Sequence, residues 1–475
     1  MATIYDTELA KLESAFWIPT AKLNEIIDHF ISELQRGNVD GTDPSGIPMN
    51  TAWVVEYPTG SETGAYLALD FGGTNLRVVL VHLLGMGTIE TEQSFYKLPD
   101  NIRTVQDRNI LFDFMAECLG KFLDERYPNG YPAELIFPLG FTFSYPATQS
   151  KINSGVLQRW TKGFDIPGVE GEDVVVLLME KIKERNLPIV VSALINDTCG
   201  TLVASRYADP KTEMGCIFGT GLNGSYYERV SNVTKLHGKL PDDIKPTDPM
   251  LINCEYGSFD NAHKVLPRTI YDIYIDDNSP RPGQQAYEKM AAGYYMGELL
   301  RLIILEQHEK GAMFKDLPDE AIKTLNIHHC VDTSFLSYLE ADETEDLSEC
   351  KKLFADHLAY PDVTFEQRKF AKSVASFIGT RAARLSICGI AAACKKMGYE
   401  DCHIAADGSV FMKYPHFPER AAQGLADVYG WGDMDPKDHP IQIVKAHDGS
   451  GVGAAVIAAL GHARVQKGLS VGFKE

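Results

Sequence analysis

A chain of 475 residues is long for one hydrophobic core, so its length predicts two or three domains. With 44% hydrophobic and 23% charged residues, its composition is that of a folded globular protein and excludes a largely disordered one. A formal charge of -20 argues against nucleic-acid and anionic-membrane partners, which need basic surface. An anionic small molecule would have to be met by backbone donors and a few well-placed cations.

The N-terminus carries acidic residues early and has no apolar core of a signal sequence, so a cytoplasmic protein is expected. Apolar runs such as 452–460 fall short of the roughly 20 residues of a membrane span. The nine cysteines are scattered without a C-x-x-C pair, which predicts reduced thiols.

Helical apolar spacing runs through 5–36 and stops at G-N-V-D-G-T-D-P-S-G-I-P. Ala65–Asp70 and Leu76–Val81 predict strands on either side of the turn Phe71-Gly72-Gly73-Thr74, as in a hairpin. Further helices are predicted over 107–126, 170–185, 284–308, 365–397 and 451–467. The acidic run 340–346 is read as a solvated helix flank or loop. The strand–turn–strand grammar returns about 150 residues later, at Gly215–Phe218, Gly219-Thr220-Gly221-Leu-Asn223-Gly224 and Ser225–Val230. These two units predict two related lobes that each present a hairpin to a common ligand.

Gly219-x-Gly221-x-x-Gly224 has the spacing of a dinucleotide-binding loop, but that loop must open a helix whose N-terminus meets the pyrophosphate. The β-branched and aromatic residues that follow predict a strand, so a nicotinamide cofactor is excluded by context. In Asp70-Phe-Gly72-Gly73-Thr74-Asn75 the glycines can bring backbone amides to phosphate oxygens, and Asp70 can hold magnesium through water. A tight hairpin whose glycines only supply unusual backbone angles explains the same residues. The D-F-G of protein kinases is not at issue, since neither H-R-D nor A-P-E accompanies it.

Taken together, D-F-G-G-T-N-L-R, L-G-F-T-F-S-Y-P (139–146), L-Q-R-W-T-K-G-F (157–164), I-N-D-T (195–198) and G-T-G-L-N-G resemble the hexokinase family. So do N-C-E-Y-G-S-F-D (253–260), P-G-Q-Q-A-Y-E-K-M (282–290), I-A-A-D-G-S-V (404–410) and D-G-S-G-V-G-A-A (448–455). The motifs stand in family order over roughly 15–465, at the length of the single-unit, fungal-type hexokinases and glucokinases. The resemblance implies an α/β, two-lobed, actin-like ATPase and sugar-kinase (ribonuclease H-like) fold with a central cleft. The small lobe would take 64–197 plus 444–475, and the large lobe 1–63 plus 198–443.

The resemblance also implies ATP-dependent phosphorylation of glucose, and of mannose and fructose, at the 6-hydroxyl, the first step of glycolysis. The alternatives are a glucose-specific glucokinase and a sugar-sensing regulator. A sugar hydroxyl needs a general base within hydrogen-bond reach. Asp197, emerging after the apolar strand 189–195, matches the family base, although Asp before Thr also suits a helix cap. Lys162 matches the family's catalytic lysine. Ser144, Thr161, Lys162, Asn196, Asp197, Asn223, Glu255 and Glu288 match its sugar-binding positions. Asp70, Gly72, Gly73, Thr74, Asn75, Arg77, Gly219, Thr220, Gly221, Asp407, Gly408, Ser409, Gly449 and Ser450 are the expected ATP contacts. Arg77 could equally pair with a neighbouring acid.

Relatives often carry lysine where Phe95 stands, so no nucleotide contact is assigned there. His328, His329 and the cysteines lack metal-ligand spacing, so the only metal expected is Mg2+ arriving with ATP and met by Asp70. Hexose and MgATP are the expected partners, and the sequence leaves monomer or homodimer open.

Overall fold

The β-rich segments flanking the two glycine turns become antiparallel hairpins, each in its own sheet. This is seen in a computed structural model that describes residues 4–39, 45–72, 75–132, 134–160, 164–446 and 448–474. In chain order the strands are β1 (Asn50–Thr51), β2 (Thr63–Phe71), β3 (Asn75–Gly85), β4 (Thr88–Lys97), β5 (Phe137–Phe143), β6 (Ala147–Thr148) and β7 (Val156–Leu157). They continue with β8 (Ile189–Ile195), β9 (Thr212–Phe218), β10 (Leu222–Arg229), β11 (Pro249–Asn253), β12 (Cys402–Asp407) and β13 (Ile441–Lys445).

One sheet has the order β4-β3-β2-β5-β8 and the other β1-β11-β10-β9-β12-β13. In each, three antiparallel strands in succession (β2–β4, β9–β11) are followed by two parallel strands (β5 and β8, β12 and β13). Parallel neighbours require crossovers, and helices supply them before β5, β8, β12 and β13. The repeated strand–turn–strand grammar of the sequence is therefore the first part of a repeated sheet.

The helix expected over 5–36 is two helices, Ile4–Phe16 and Thr20–Val39. Pro19 has no N–H and restricts Ile18, so the first helix stops, and the Pro19 carbonyl accepts from Lys22 and Leu23 to start the second. The helix expected over 284–308 is also interrupted. Ala292 is extended between Ala286–Ala291 and Gly293–Glu309, because the Gly293 and Tyr294 N–H groups donate to Gly219 and Thr220 carbonyls at 2.8 and 3.2 Å.

Helices Arg108–Asp124 and Val174–Glu184 form as expected, capped by Asp107 and Asp173. Phe365–Met397 is a continuous 33-residue helix with a capping box of Thr364 and Gln367 and a left-handed Gly398 at its end. It is long and apolar enough in composition to cross a membrane, yet 89% of its most apolar 18-residue window is buried inside the protein. Inside the core its Arg381 meets Asp272 through two hydrogen bonds of 2.7 and 2.9 Å.

The acidic run 340–346 is not simply solvated. Glu340 is buried against Arg420, and buried Asp342 accepts from Thr344 and the Cys350 N–H. Burial pushes the Asp342 carboxyl up, but these donors outweigh it and hold it at about 2.

Helix Ala454–Gln466 packs on β2, β5 and β8, and close approach to β5 depends on Gly140. A Cβ at Gly140 would sit well inside contact distance of the Ala454 carbonyl, a backbone group that cannot rotate away. Gly140→Ala is expected to lower unfolding free energy by about 1–3 kcal/mol. Denaturant unfolding of the variant, with an unchanged slope, measures this loss.

Candidate active site

Strand β8 delivers Asn196 and Asp197 to the start of helix Asp197–Ala208, which runs from the five-stranded sheet to pack on β9 of the six-stranded one. Asn196 caps this helix. Its Oδ1 accepts from the Thr198 N–H at 3.0 Å and the Thr198 hydroxyl at 2.7 Å. Asp197 is half-buried, with Oδ1 accepting from the Thr198 N–H at 2.8 Å. The cap of this helix is therefore Asn196, and Asp197 stands in its first turn.

On one side of this helix start, side-chain amides converge on a carboxylate. Glu255 Oε1 accepts from Asn253 at 2.8 Å, Asn223 at 3.3 Å and Asn196 at 3.5 Å. Asn223 also donates to Asn253 Oδ1 at 2.8 Å. Glu255 takes a left-handed backbone (φ 55°), which aims its side chain out of the end of β11. Glu288, in the first turn of Ala286–Ala291, accepts from the Leu222 N–H at 3.1 Å and so packs beside Gly221. Donor amides and acceptor carboxylates on one wall suit a ligand whose hydroxyl groups both donate and accept.

On the other side lies the β2–β3 hairpin. Arg77 donates to both oxygens of Asp448 at 2.6 and 3.0 Å, to Ser450 Oγ at 2.7 Å and to Gln93 at 3.2 Å. It stands 3.4 Å from Asp70 Oδ2, which also accepts from the Ser450 hydroxyl at 2.6 Å. Thr142 donates to the Ser450 carbonyl at 2.8 Å. Gly449 and Ser450 lie in the π-helical turn Gly449–Gly453. Asp407 accepts from the Gly408 N–H, and Gly408 (φ 105°) presses on the Phe218 carbonyl beside Gly219. The second glycine turn therefore borders the Asp407–Ser409 loop and the start of helix Gly293–Glu309.

Residues 8–207 and 213–460 match the two sequence models of the hexokinase family. The chain is 56% identical to a hexokinase of Kluyveromyces lactis over 98% of this chain and 94% of that protein. It is 53% identical to hexokinase-2 of Saccharomyces cerevisiae over the same shares. The chain belongs to the hexokinase family. A hexokinase from Schistosoma mansoni solved with glucose superposes with a TM-score of 0.84 at 33% identity, covering 96% of this chain and 98% of that one.

Within this hexokinase fold, Asn196, Asp197, Asn223, Glu255 and Glu288 come together around the helix start and the start of β10. Ser144 lies just past β5, its N–H 3.5 Å from the Phe71 carbonyl. Gly72 and Asn75 flank the first turn, and Gly219, Thr220, Gly221, Asp407, Gly408 and Ser409 gather at the second. Thr161, Lys162, Gly73 and Thr74 lie outside the described residues.

Asn253 and Asp448 are among the residues of the network that carried no assignment from sequence. Both stand inside the motifs quoted above, but each acts by orienting a neighbour, a role that spacing does not reveal. Arg77 has an acid partner, Asp448, and stands beside the first turn.

Among the described residues no three His, Cys, Asp or Glu side chains converge as metal ligands. Asp70 stands near the end of β2, next to the first turn, and a carboxylate there fits an ion held mainly by phosphate and water. Burial pushes the Asp70 carboxyl above its usual range. Ser450 and Arg77 pull it down, while Asp197 and Asp448 push it further up.

A carboxyl whose pKa is raised by folding opposes folding when charged. Asp70→Asn should therefore raise the melting temperature at neutral pH, and the gain should vanish in acid below the ordinary carboxylate range. Thermal scans of both proteins across that range check it.

Proposed function

We propose that the chain transfers the γ-phosphoryl group of ATP to the 6-hydroxyl of D-glucose, with Asp197 as the base that takes or orients the hydroxyl proton. The observation that carries this reading is the position of Asp197. It opens a helix between a wall of amides and carboxylates suited to a sugar and a glycine hairpin suited to a phosphate tail. Hexokinase activity follows from family membership, and the residue roles are our assignment.

Glu255, Glu288, Asn223 and Asn196 would bind ring hydroxyls, each carboxylate already oriented by an amide or a backbone N–H. Ser144, Thr161 and Lys162 would complete the sugar shell from the smaller sheet, and Lys162 would offset charge developing on the transferred group. The backbone at 72–75 and 219–221 would grip the phosphates in line with the hydroxyl, and 407–409 with 449–450 would border the nucleoside. Magnesium entering with ATP would neutralise phosphate charge beside Asp70.

We read the two sheets as two lobes, 64–197 with 444–475 and 1–63 with 198–443. Their approach over a bound sugar would exclude water, which otherwise competes as acceptor. We also read the enzyme as cytoplasmic and as acting on mannose and fructose besides glucose.

Asp197→Ala should lower kcat about a thousandfold while glucose binding, read by calorimetry, changes little. A kcat within tenfold of the parent would remove Asp197 from the role of base. A coupled assay on glucose, mannose, fructose and water alone is expected to show turnover on all three hexoses and none on water. Turnover on glucose alone would identify a glucokinase, and binding without turnover a sensor.

A further inference from the structure

The hairpin that carries the first phosphate turn holds a cation that the site described above does not use. Cross-strand partners in β3 and β4 are Asn75 and Lys97, Arg77 and Phe95, and Val79 and Gln93. Partners share one face of a sheet, and so do residues two apart on a strand. Asn75, Arg77, Gln93, Phe95 and Lys97 therefore project from the same face.

That face is the cleft side. Arg77 reaches Asp448 and Ser450 from it, and Val79 and Val81 pack from it into the core containing residues 454–460. Leu76, Val78 and Leu80, on the opposite face, belong to a separate core with helix Arg108–Asp124. Lys97 stands opposite Asn75, the first residue after the turn.

Electrostatics call for a cation there. Asp70, Asp197 and Asp448 place three carboxylates around the turn, and Asp70 is already held above its usual pKa by burial and by its acidic neighbours. Arg77 is bound through both its terminal nitrogens to Asp448 and touches Asp70, so its charge is largely neutralised. A triphosphate entering an acidic protein needs a positive group still available to it. Among the described residues Lys97 pairs with Asp100, 3.5 Å away, in a pair whose side chains are 82% and 94% exposed. Such a pair is screened by solvent and constrains the lysine little.

We propose that Lys97 is a nucleotide-binding residue, its ammonium leaving Asp100 to contact the phosphate tail of ATP held at residues 72–75. This rests on the phosphoryl-transfer reading above. Phe95, on the same face and 65% exposed, marks the neighbouring position from which a lysine could reach the same tail.

Lys97→Met is expected to raise the KM for MgATP about five- to tenfold and to weaken its dependence on added salt. The glucose KM and kcat should stay within about twofold. Phe95→Lys in the Lys97→Met background should recover most of the loss. Calorimetric binding of MgADP to the same proteins reads the contact without turnover, so a failure of the proposed reaction would remain distinguishable. An unchanged KM and MgADP affinity in Lys97→Met, or a loss that Phe95→Lys does not repair, would overturn the proposal.

Discussion

Everything at the site depends on a backbone-to-backbone contact between helix Asp197–Ala208 and the turn Gly449–Gly453. A Cβ at Gly453 would collide with the Gly200 carbonyl, and one at Gly449 with the backbone and hydroxyl of Thr201. Only glycine allows so close an approach, and it places Ser450 and Asp448 against Asp70 and Arg77. The same helix begins with Asp197 and packs on β9. One tight joint thus links Asp197, the β2–β3 hairpin and the six-stranded sheet.

Around that joint the charges are arranged unevenly. On one side the carboxylates are supplied with donors: Glu255 with three amides and Glu288 with a backbone N–H. On the hairpin side Asp70 and Asp448 share Arg77, and burial leaves Asp70 unfavourably charged. Such a surplus of negative charge destabilises the isolated fold and is relieved when cations enter, a common compromise between stability and function. Binding of a nucleotide with its cations would therefore stabilise this corner by charge complementation as well as by contact.

The hairpins, the long helix 365–397 and the residue families of the site were legible in the chain itself. The signals are local: alternating β-formers around Gly-rich turns, a capping box at Thr364 and Gln367, and short motifs in fixed order. What was not legible depends on distant partners. Ala292 breaks a helical pattern because Gly293 and Tyr294 donate to the Gly219–Thr220 turn instead. Glu340 and Asp342 look solvated in an acidic run, yet tertiary donors bury them. Pro19 could have been read from sequence, since proline lacks the donor a continuous helix needs.

By itself the sequence determined the family and the two-lobed α/β architecture, because these follow from local pattern and the order of the motifs. Only the tertiary structure decided that Arg77 pairs with Asp448, that Asn253 donates to Glu255 and that Lys97 shares a face with Asn75 and Arg77. These relations join residues as much as 371 positions apart or depend on strand register. Distance along the chain carries no information about either until the backbone has closed on itself.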